Sequence, residues 1–139
     1  MKKHEPISKI MSANVASVQV GQPLSDVRDL MLNANIHHVP IIDGSKLVGL
    51  ISFTDLMKIN FVIKGVDERS INAIIDQQFS IREIMSDKLV TIKYTDTIRV
   101  GSELLARGGF HSLPVIDDEG ALVGIVTTTD LIRYLNEQY

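Results

Sequence analysis

The sequence predicts an α/β fold made of two copies of one unit, each running helix, strand, helix, strand, strand, helix. Three observations predict it. Short blocks recur in the same order at a nearly constant spacing, helical and extended hydrophobic periodicities alternate along each copy, and the one change of spacing falls in a turn. Ile10-Met11-Ser12 returns as Ile84-Met85-Ser86 at an offset of 74, and His37-His38-Val39-Pro40-Ile41-Ile42-Asp43 returns as His111-Ser112-Leu113-Pro114-Val115-Ile116-Asp117 at the same offset. Gly49-Leu50-Ile51-Ser52-Phe53-Thr54-Asp55-Leu56 then returns as Gly124-Ile125-Val126-Thr127-Thr128-Thr129-Asp130-Leu131 at an offset of 75. The extra residue lies where Asp43-Gly44-Ser45-Lys46 becomes Asp117-Asp118-Glu119-Gly120-Ala121. Surface turns tolerate such insertions because few contacts depend on their length.

The elements follow in order. Ile7 to Met11 reads as a short lead-in helix and Ala16 to Val18 as a short strand. Pro23 opens a helix whose apolar residues Leu24, Val27, Leu30, Met31 and Ala34 recur at the spacing of one buried helix face. Val39 to Ile42 and Lys46 to Ile51 are rich in β-branched residues and joined through Asp43-Gly44, a hairpin signal. A closing helix runs from Phe53 toward Val62. In the second copy the pieces are Ile81 to Met85, Val90 to Ile92, Ile98 to Arg107, Leu113 to Ile116, Leu122 to Val126 and Thr128 to Asn136, with Gly108-Gly109 stopping the middle helix. The first repeat with its lead-in helix thus occupies residues 1–63 and the second 80–139, joined by a linker over 64–79 that Ile71, Ile74 and Ile75 make partly helical. Neither half buries its apolar sheet face alone, so the two are expected to meet sheet to sheet about a pseudo-twofold axis as one module.

Bulk properties narrow the function. A chain of 139 residues with 45% hydrophobic content supports a real core, and its formal charge of −3 offers no bulk attraction to nucleic acid. Cysteine is absent, which removes disulfides, thiolate metal sites and thiol nucleophiles. The polar start Met1-Lys2-Lys3-His4-Glu5-Pro6 lacks a signal-peptide apolar region, and runs such as Leu47-Val48-Gly49-Leu50-Ile51 are too short to span a bilayer. A soluble, cytoplasmic protein without nucleic-acid or membrane partners is expected.

Chemistry concentrates where a strand ends and a helix opens. In Ser52-Phe53-Thr54-Asp55 and Thr127-Thr128-Thr129-Asp130 a hydroxyl residue is followed three positions later by an acid. One reading is a capping box, although Asp is a methylene shorter than the usual Glu or Gln. The other is a ligand site: helix N-termini offer N–H groups and positive dipole to a phosphate, and a carboxylate accepts from both hydroxyls of a ribose. On the pattern alone both readings stand. His37 and His111 each lie three residues before a proline, on an extended lead into a strand. They read either as core or surface residues or as contacts to an anionic ligand; their spacing is not a metal-ligand pattern. Lys58 and Arg133, each three residues after the Asp, suit an i,i+3 ion pair. Nothing forms a Gly-rich phosphate loop, a nucleophile-and-base constellation or a carboxylate pair at catalytic spacing, so no enzyme, metal or cofactor is expected.

The repeated blocks together resemble the CBS domain pair (Bateman module), over Ile7 to Leu135 with both copies complete. The resemblance implies two β-α-β-β-α repeats enclosing two symmetry-related clefts that bind adenosine-containing ligands: AMP, ADP, ATP, S-adenosylmethionine or NAD. Carried over by position, one cleft draws on Ser12, Val15, Ala16, Ile36 and His37 with Ile125, Thr127, Thr129 and Asp130. The other draws on Ser86, Leu89, Val90, Phe110 and His111 with Leu50, Ser52, Thr54 and Asp55. The acids would hold ribose hydroxyls, the Ser and Thr hydroxyls a phosphate, and apolar residues the adenine. Nucleotide-sensing members often carry arginine directly after the motif histidine; here His38 and Ser112 stand there, which favours a ligand with little negative charge such as AMP. The first cleft ranks ahead because Thr127, Thr129 and Asp130 would face the small Ser12 and Ala16, whereas Phe110 would crowd the second.

The expected function is therefore a stand-alone regulatory module, with an adenine nucleotide as its regulatory ligand and an effector protein reached in trans. A homodimer is expected through the apolar Phe53, Leu56, Ile59 and Leu131 faces. The alternative is a structural dimerisation module with empty clefts.

Overall fold

The structure, a computed structural model, describes residues 4–62 and 67–139, without the side chains of 60–62 and 68–69. The first three residues and the start of the expected linker, through residue 66, lie outside the described residues. After a 3-10 helix at Ile7–Lys9 come β1 (Val18–Gln19), α1 (Leu24–Ala34), β2 (His38–Asp43), β3 (Lys46–Ser52) and α2 (Phe53–Val62). Two helices of the inter-repeat stretch follow, α3 (Glu68–Gln78) and α4 (Ile81–Ile84). The second repeat supplies β4 (Ile92–Lys93), α5 (Ile98–Ala106), β5 (Ser112–Ile116), β6 (Leu122–Thr127) and α6 (Thr128–Glu137). The expected α/β alternation is present in both copies. The first strand of each copy is shorter and later than expected, at Val18–Gln19 and Ile92–Lys93, because only those residues pair with the neighbouring strand.

Each repeat builds a three-stranded sheet, ordered β1-β2-β3 and β4-β5-β6. The first pair is parallel and the second antiparallel, and both hairpins shift register at the same place, between Ile41 and Ile42 and between Val115 and Ile116. Gly44 takes a φ of 65° at the first hairpin turn and Gly120 a φ of 84° at the second, the left-handed region that glycine enters without steric cost.

The chain forms two compact units that do not follow the division at 63 and 80. One joins the residues up to Val15 with Val90–Tyr139; the other is the continuous stretch Ala16–Leu89. The segment preceding each repeat therefore belongs with the other repeat. In the first unit Ile7, fully buried, shares a core with Ile92, Ile98, Leu113, Val115 and Val126. In the second, Ile75 and Ile81 complete a core with Val18, Leu24, Val27, Val39, Ile41 and Ile51.

Paired methionines explain this arrangement. An ideal Cβ added at Gly124 would lie 2.5 Å from the Met11 Sδ, and one at Gly49 only 2.3 Å from the Met85 Sδ. The methionine of each Ile-Met-Ser block thus fills the hollow that a strand glycine leaves. Immediately beyond, Ser12 and Ile125 exchange two backbone hydrogen bonds (2.9 and 3.0 Å), as do Ser86 and Leu50 (2.9 and 3.0 Å). Both recurring motifs are accounted for by one contact made twice.

Two helices carry finer features. Pro23 is the N-cap of α1 and offers no side-chain hydrogen bond. Asp76 on α3 supplies it instead, accepting from the Ser25 N–H at 2.8 Å and the Ser25 hydroxyl at 2.6 Å. Asn72 bridges the same two helices, accepting from Arg28 at 3.1 Å and donating to Asp29 at 3.1 Å.

One expectation is overturned. Leu56 and Ile59 are buried in their own unit's core, and Leu131 packs against the other core, so these three do not form free faces for a partner. Helical spacing turns them inward. Among the described side chains of these two helices, the outward apolar residues are Phe53 and Met57 on α2 and Ile132 and Leu135 on α6.

Candidate functional site

At the end of β3 and of β6 the chain turns directly into a helix, and the hydroxyl and the acid lock that turn reciprocally. The Ser52 Oγ accepts from the Asp55 N–H at 3.2 Å while the Asp55 Oδ2 accepts from the Ser52 N–H at 2.9 Å. The Thr127 Oγ1 accepts from the Asp130 N–H at 3.1 Å while the Asp130 Oδ2 accepts from the Thr127 N–H at 2.9 Å. The capping-box reading is therefore realised in both copies, and the shorter Asp reaches. The first helical N–H is used as well: Phe53 donates to the His37 carbonyl at 2.7 Å and Thr128 to the His111 carbonyl at 3.0 Å. The N–H groups of Thr54 and Thr129, second in each helix, remain uncapped and sit beside their own exposed hydroxyls.

These contacts leave one carboxylate oxygen of each acid directed away from the box. In α6 the Asp130 Oδ1 accepts from Arg133 at 3.5 Å, the expected i,i+3 pair. In α2 the corresponding pair is not formed: among the described residues no cation lies within ion-pair distance of Asp55, and Lys58 is exposed.

The unit holding Val90–Tyr139 contains Ser12, Val15, Val90, Phe110, His111, Ile125, Thr127, Thr129 and Asp130. The other unit contains Ala16, Ile36, His37, Leu50, Ser52, Thr54, Asp55, Ser86 and Leu89. Each expected cleft thus has members in both units. Within the units, Ser12 is joined to Ile125, two residues before Thr127, and Ser86 to Leu50, two before Ser52. Both serines are exposed. His37 and His111 are surface residues beside the helix start of their own repeat, and the His37 ring meets Phe53 edge-on with centroids 5.6 Å apart. Ser112 is buried with no partner for its hydroxyl.

Beside each turn lies a cavity the sequence did not single out. One, of about 200 Å³, is lined by Lys9, Ile10, Asp130, Arg133, Tyr134 and Glu137. The other, of about 260 Å³, is lined by Asp55, Lys58, Ile59, Phe79, Glu83 and Ile84. Lys9-Ile10 and Glu83-Ile84 are equivalent in the repeat, so the signal was present: both pairs directly precede the recurring methionine. Behind the first cavity, Tyr134 donates to Glu5, which also accepts from Lys9 at 2.6 Å. Among the described residues no three His, Asp or Glu side chains gather at metal-binding distance. No helix among them is long and apolar enough to cross a membrane.

The model of the CBS domain matches residues 7–61 and 81–137, the same two copies that the offset defines. The chain belongs to the CBS domain family. Uncharacterized protein MJ1426 of Methanocaldococcus jannaschii is 30% identical to this CBS pair over 135 residues, covering 81% of this chain and 80% of that one. Homoserine O-acetyltransferase of Methanohalobium evestigatum is 27% identical over 135 residues, spanning 96% of this chain but only 25% of the transferase. Likewise the chain spans 48% of uncharacterized protein MJ1225 of Methanocaldococcus jannaschii, at 24% identity and 95% coverage of this chain. The CBS pair therefore matches a part of several longer relatives.

Solved structures share the fold. The CBS domain pair of protein MJ0100, in complex with 5′-methylthioadenosine and S-adenosyl-L-methionine, has a TM-score of 0.76 at 24% identity, covering 96% of this chain and 98% of that one. CBSX2 from Arabidopsis thaliana, in complex with AMP, has a TM-score of 0.80 at 20% identity, covering 96% and 98%.

Proposed function

We propose that this CBS pair is a regulatory module that binds an adenosine-containing ligand at its strand-to-helix turns and passes its occupancy to an effector protein. The observation that carries the reading is the pair of reciprocally locked turns. Each holds a carboxylate, an exposed threonine hydroxyl and an uncapped helix N–H together at one helix start, twice in one chain. A carboxylate accepts from a ribose diol, while hydroxyl and N–H groups donate to a phosphate. Two structural neighbours carry AMP or S-adenosylmethionine with methylthioadenosine, which supports the ligand class. AMP is the first candidate, because His38 and Ser112 stand where an arginine would favour a longer phosphate chain and Ser112 is buried. Asp130 and its neighbours Thr127 and Thr129 form the leading AMP site.

A thermal-shift panel of AMP, ADP, ATP, S-adenosylmethionine and NAD tests the proposal. A ligand present at a hundred times its Kd stabilises by about 2.7 kcal/mol, an easily visible shift. No shift with any of the five at millimolar concentration rejects the ligand-binding reading. With AMP, Asp130→Ala is expected to reduce the shift more than Asp55→Ala, and equal losses refute the ranking.

One observation favours a second reading, a self-association module. Ile132 and Leu135, 61% and 42% exposed, form an outward apolar pair at i,i+3 on α6. Light scattering of the wild type and of Ile132→Glu decides it: a dimer that becomes monomeric supports this role, and a wild-type monomer dismisses it.

A further inference from the structure

Cysteine is absent and the chain carries five methionines, so any reversible oxidation of sulfur takes place at methionine. The described methionines differ in setting. Met31 is buried in a core and Met57 is exposed on α2, whereas Met11 and Met85 are half-buried, each at the end of a lead-in segment. Their backbones are fixed. The Met11 N–H donates to the Ile7 carbonyl at 3.1 Å and the Met85 N–H to the Ile81 carbonyl at 2.9 Å, and both isoleucines are buried.

The seat of each thioether is built for an apolar sulfur. Met11 Sδ and Met85 Sδ lie where a Cβ on Gly124 or Gly49 would come, and the Ser12 carbonyl oxygen is 3.0 Å from the same point at Gly124. The N–H groups of the adjoining bridges are all engaged: Ser12 and Ile125 donate to each other's carbonyl, as do Ser86 and Leu50. A sulfoxide oxygen is a strong acceptor, and the bridges offer it no donor. Half-buried thioethers nevertheless remain within reach of a small solute.

We propose that Met11 and Met85 are paired oxidation sites, at which a peroxide converts each thioether to a sulfoxide and loosens a lead-in segment from the strand glycine that seats it. The sulfur attacks one oxygen of hydrogen peroxide. An S–O bond forms as the O–O bond breaks, the sulfur gives up two electrons, and the displaced hydroxide takes the proton of the transferred oxygen and leaves as water. A dithiol reductant reverses the step: two thiols become a disulfide and the sulfoxide oxygen leaves as water. The oxidised side chain abandons the hollow, and the bare backbone at Gly49 or Gly124 loses its packing partner. Ser12 and Ser86, the residues that follow the methionines, then lose support on the strands that lead into Thr127 and Ser52. The device operates whatever the turns bind.

The test is treatment of the full chain with hydrogen peroxide, followed by peptide mass mapping and thermal melting. Met11, Met57 and Met85 are each expected to gain one oxygen while Met31 stays reduced, and the Tm to fall by about 5 °C or more. Methionine sulfoxide reductases of both epimer specificities, supplied with a dithiol, are expected to restore it. M57L is expected to lose as much as the wild type, and M11L/M85L about 1 °C or less, because leucine conserves the volume and takes up no oxygen. Hydrogen exchange of the wild type needs no variant: the amides of Ser12, Ile125, Leu50 and Ser86 are expected to exchange at least about tenfold faster after oxidation. Oxygen uptake at Met57 alone overturns the inference. So does an unchanged Tm and exchange with Met11 and Met85 converted, or a fall in M11L/M85L as large as that of the wild type.

Discussion

At Gly124 an alanine methyl would meet the Met11 sulfur at 2.5 Å and the Ser12 carbonyl oxygen at 3.0 Å, whereas at Gly49 the three nearest atoms all belong to the Met85 side chain. A thioether can rotate away, but the Ser12 carbonyl oxygen, which accepts from the Ile125 N–H at 3.0 Å, cannot. Both substitutions are expected to destabilise by about 1–3 kcal/mol, with Gly124→Ala the more costly, as measured by urea unfolding. Combining Gly124→Ala with Met11→Ala is expected to cost less than the sum of the two changes, since the second empties the space the first invades. A strictly additive pair would show that the methionine does not fill this hollow. At the same scale, the buried Ser112 hydroxyl has no partner, so Ser112→Ala is expected to be neutral or slightly stabilising.

Among the elements, α3 shows how a connecting segment becomes part of a core. Its N-terminus is capped by Asp67, which accepts from the Ser70 N–H at 2.9 Å, and its inner face delivers Ile75 to the core of the first repeat. Its C-terminal half caps another helix: Asp76 takes both the N–H and the hydroxyl of Ser25, where Pro23 leaves α1 without a side-chain cap. Asp76→Ala is expected to cost about 1–2 kcal/mol in chemical denaturation, the loss of charge-assisted bonds and of a helix cap. No measurable change would mean that α1 starts equally well without it. The helical stretch around Ile71, Ile74 and Ile75 is legible from spacing, but its partner is not, because Ser25 and Asp76 lie 51 positions apart and share no pattern. The strand-to-helix turns are the opposite case. Ser52 with Asp55 and Thr127 with Asp130 are legible in full, since a capping box is written within four consecutive residues. What the pattern left open was whether the acid reaches and where its second oxygen turns; the structure shows it held by Arg133 in one copy and not by Lys58 in the other.

For the whole molecule, the exchange of lead-in segments has a direct consequence for dissection. The fragment 16–89 retains every buried residue of its core cluster, including Ile75 and Ile81, whereas a fragment cut at 1–63 lacks both. The 16–89 fragment is therefore expected to melt at higher temperature and more cooperatively than 1–63, as followed by circular dichroism. In the same way 80–139 lacks Ile7, which is fully buried in the other core, and is expected to gain stability when the first fifteen residues are restored. If 1–63 proves the more stable fragment, the core assignment is wrong.

The sequence by itself determined that the chain is two copies of one α/β unit, where the longer helices and the hairpin strands of each copy lie, and which turns carry a hydroxyl and an acid. These are periodic or local features, and physical chemistry over a few residues dictates them. Only the tertiary structure decided that each lead-in joins the other repeat, that Leu56 and Ile59 face inward, and that one motif acid is ion-paired while its twin, among the described residues, is not. Those outcomes depend on close approach between distant segments. Met11 reaches the bare backbone at Gly124, more than a hundred residues away, and neither residue signals the other until the fold brings them together.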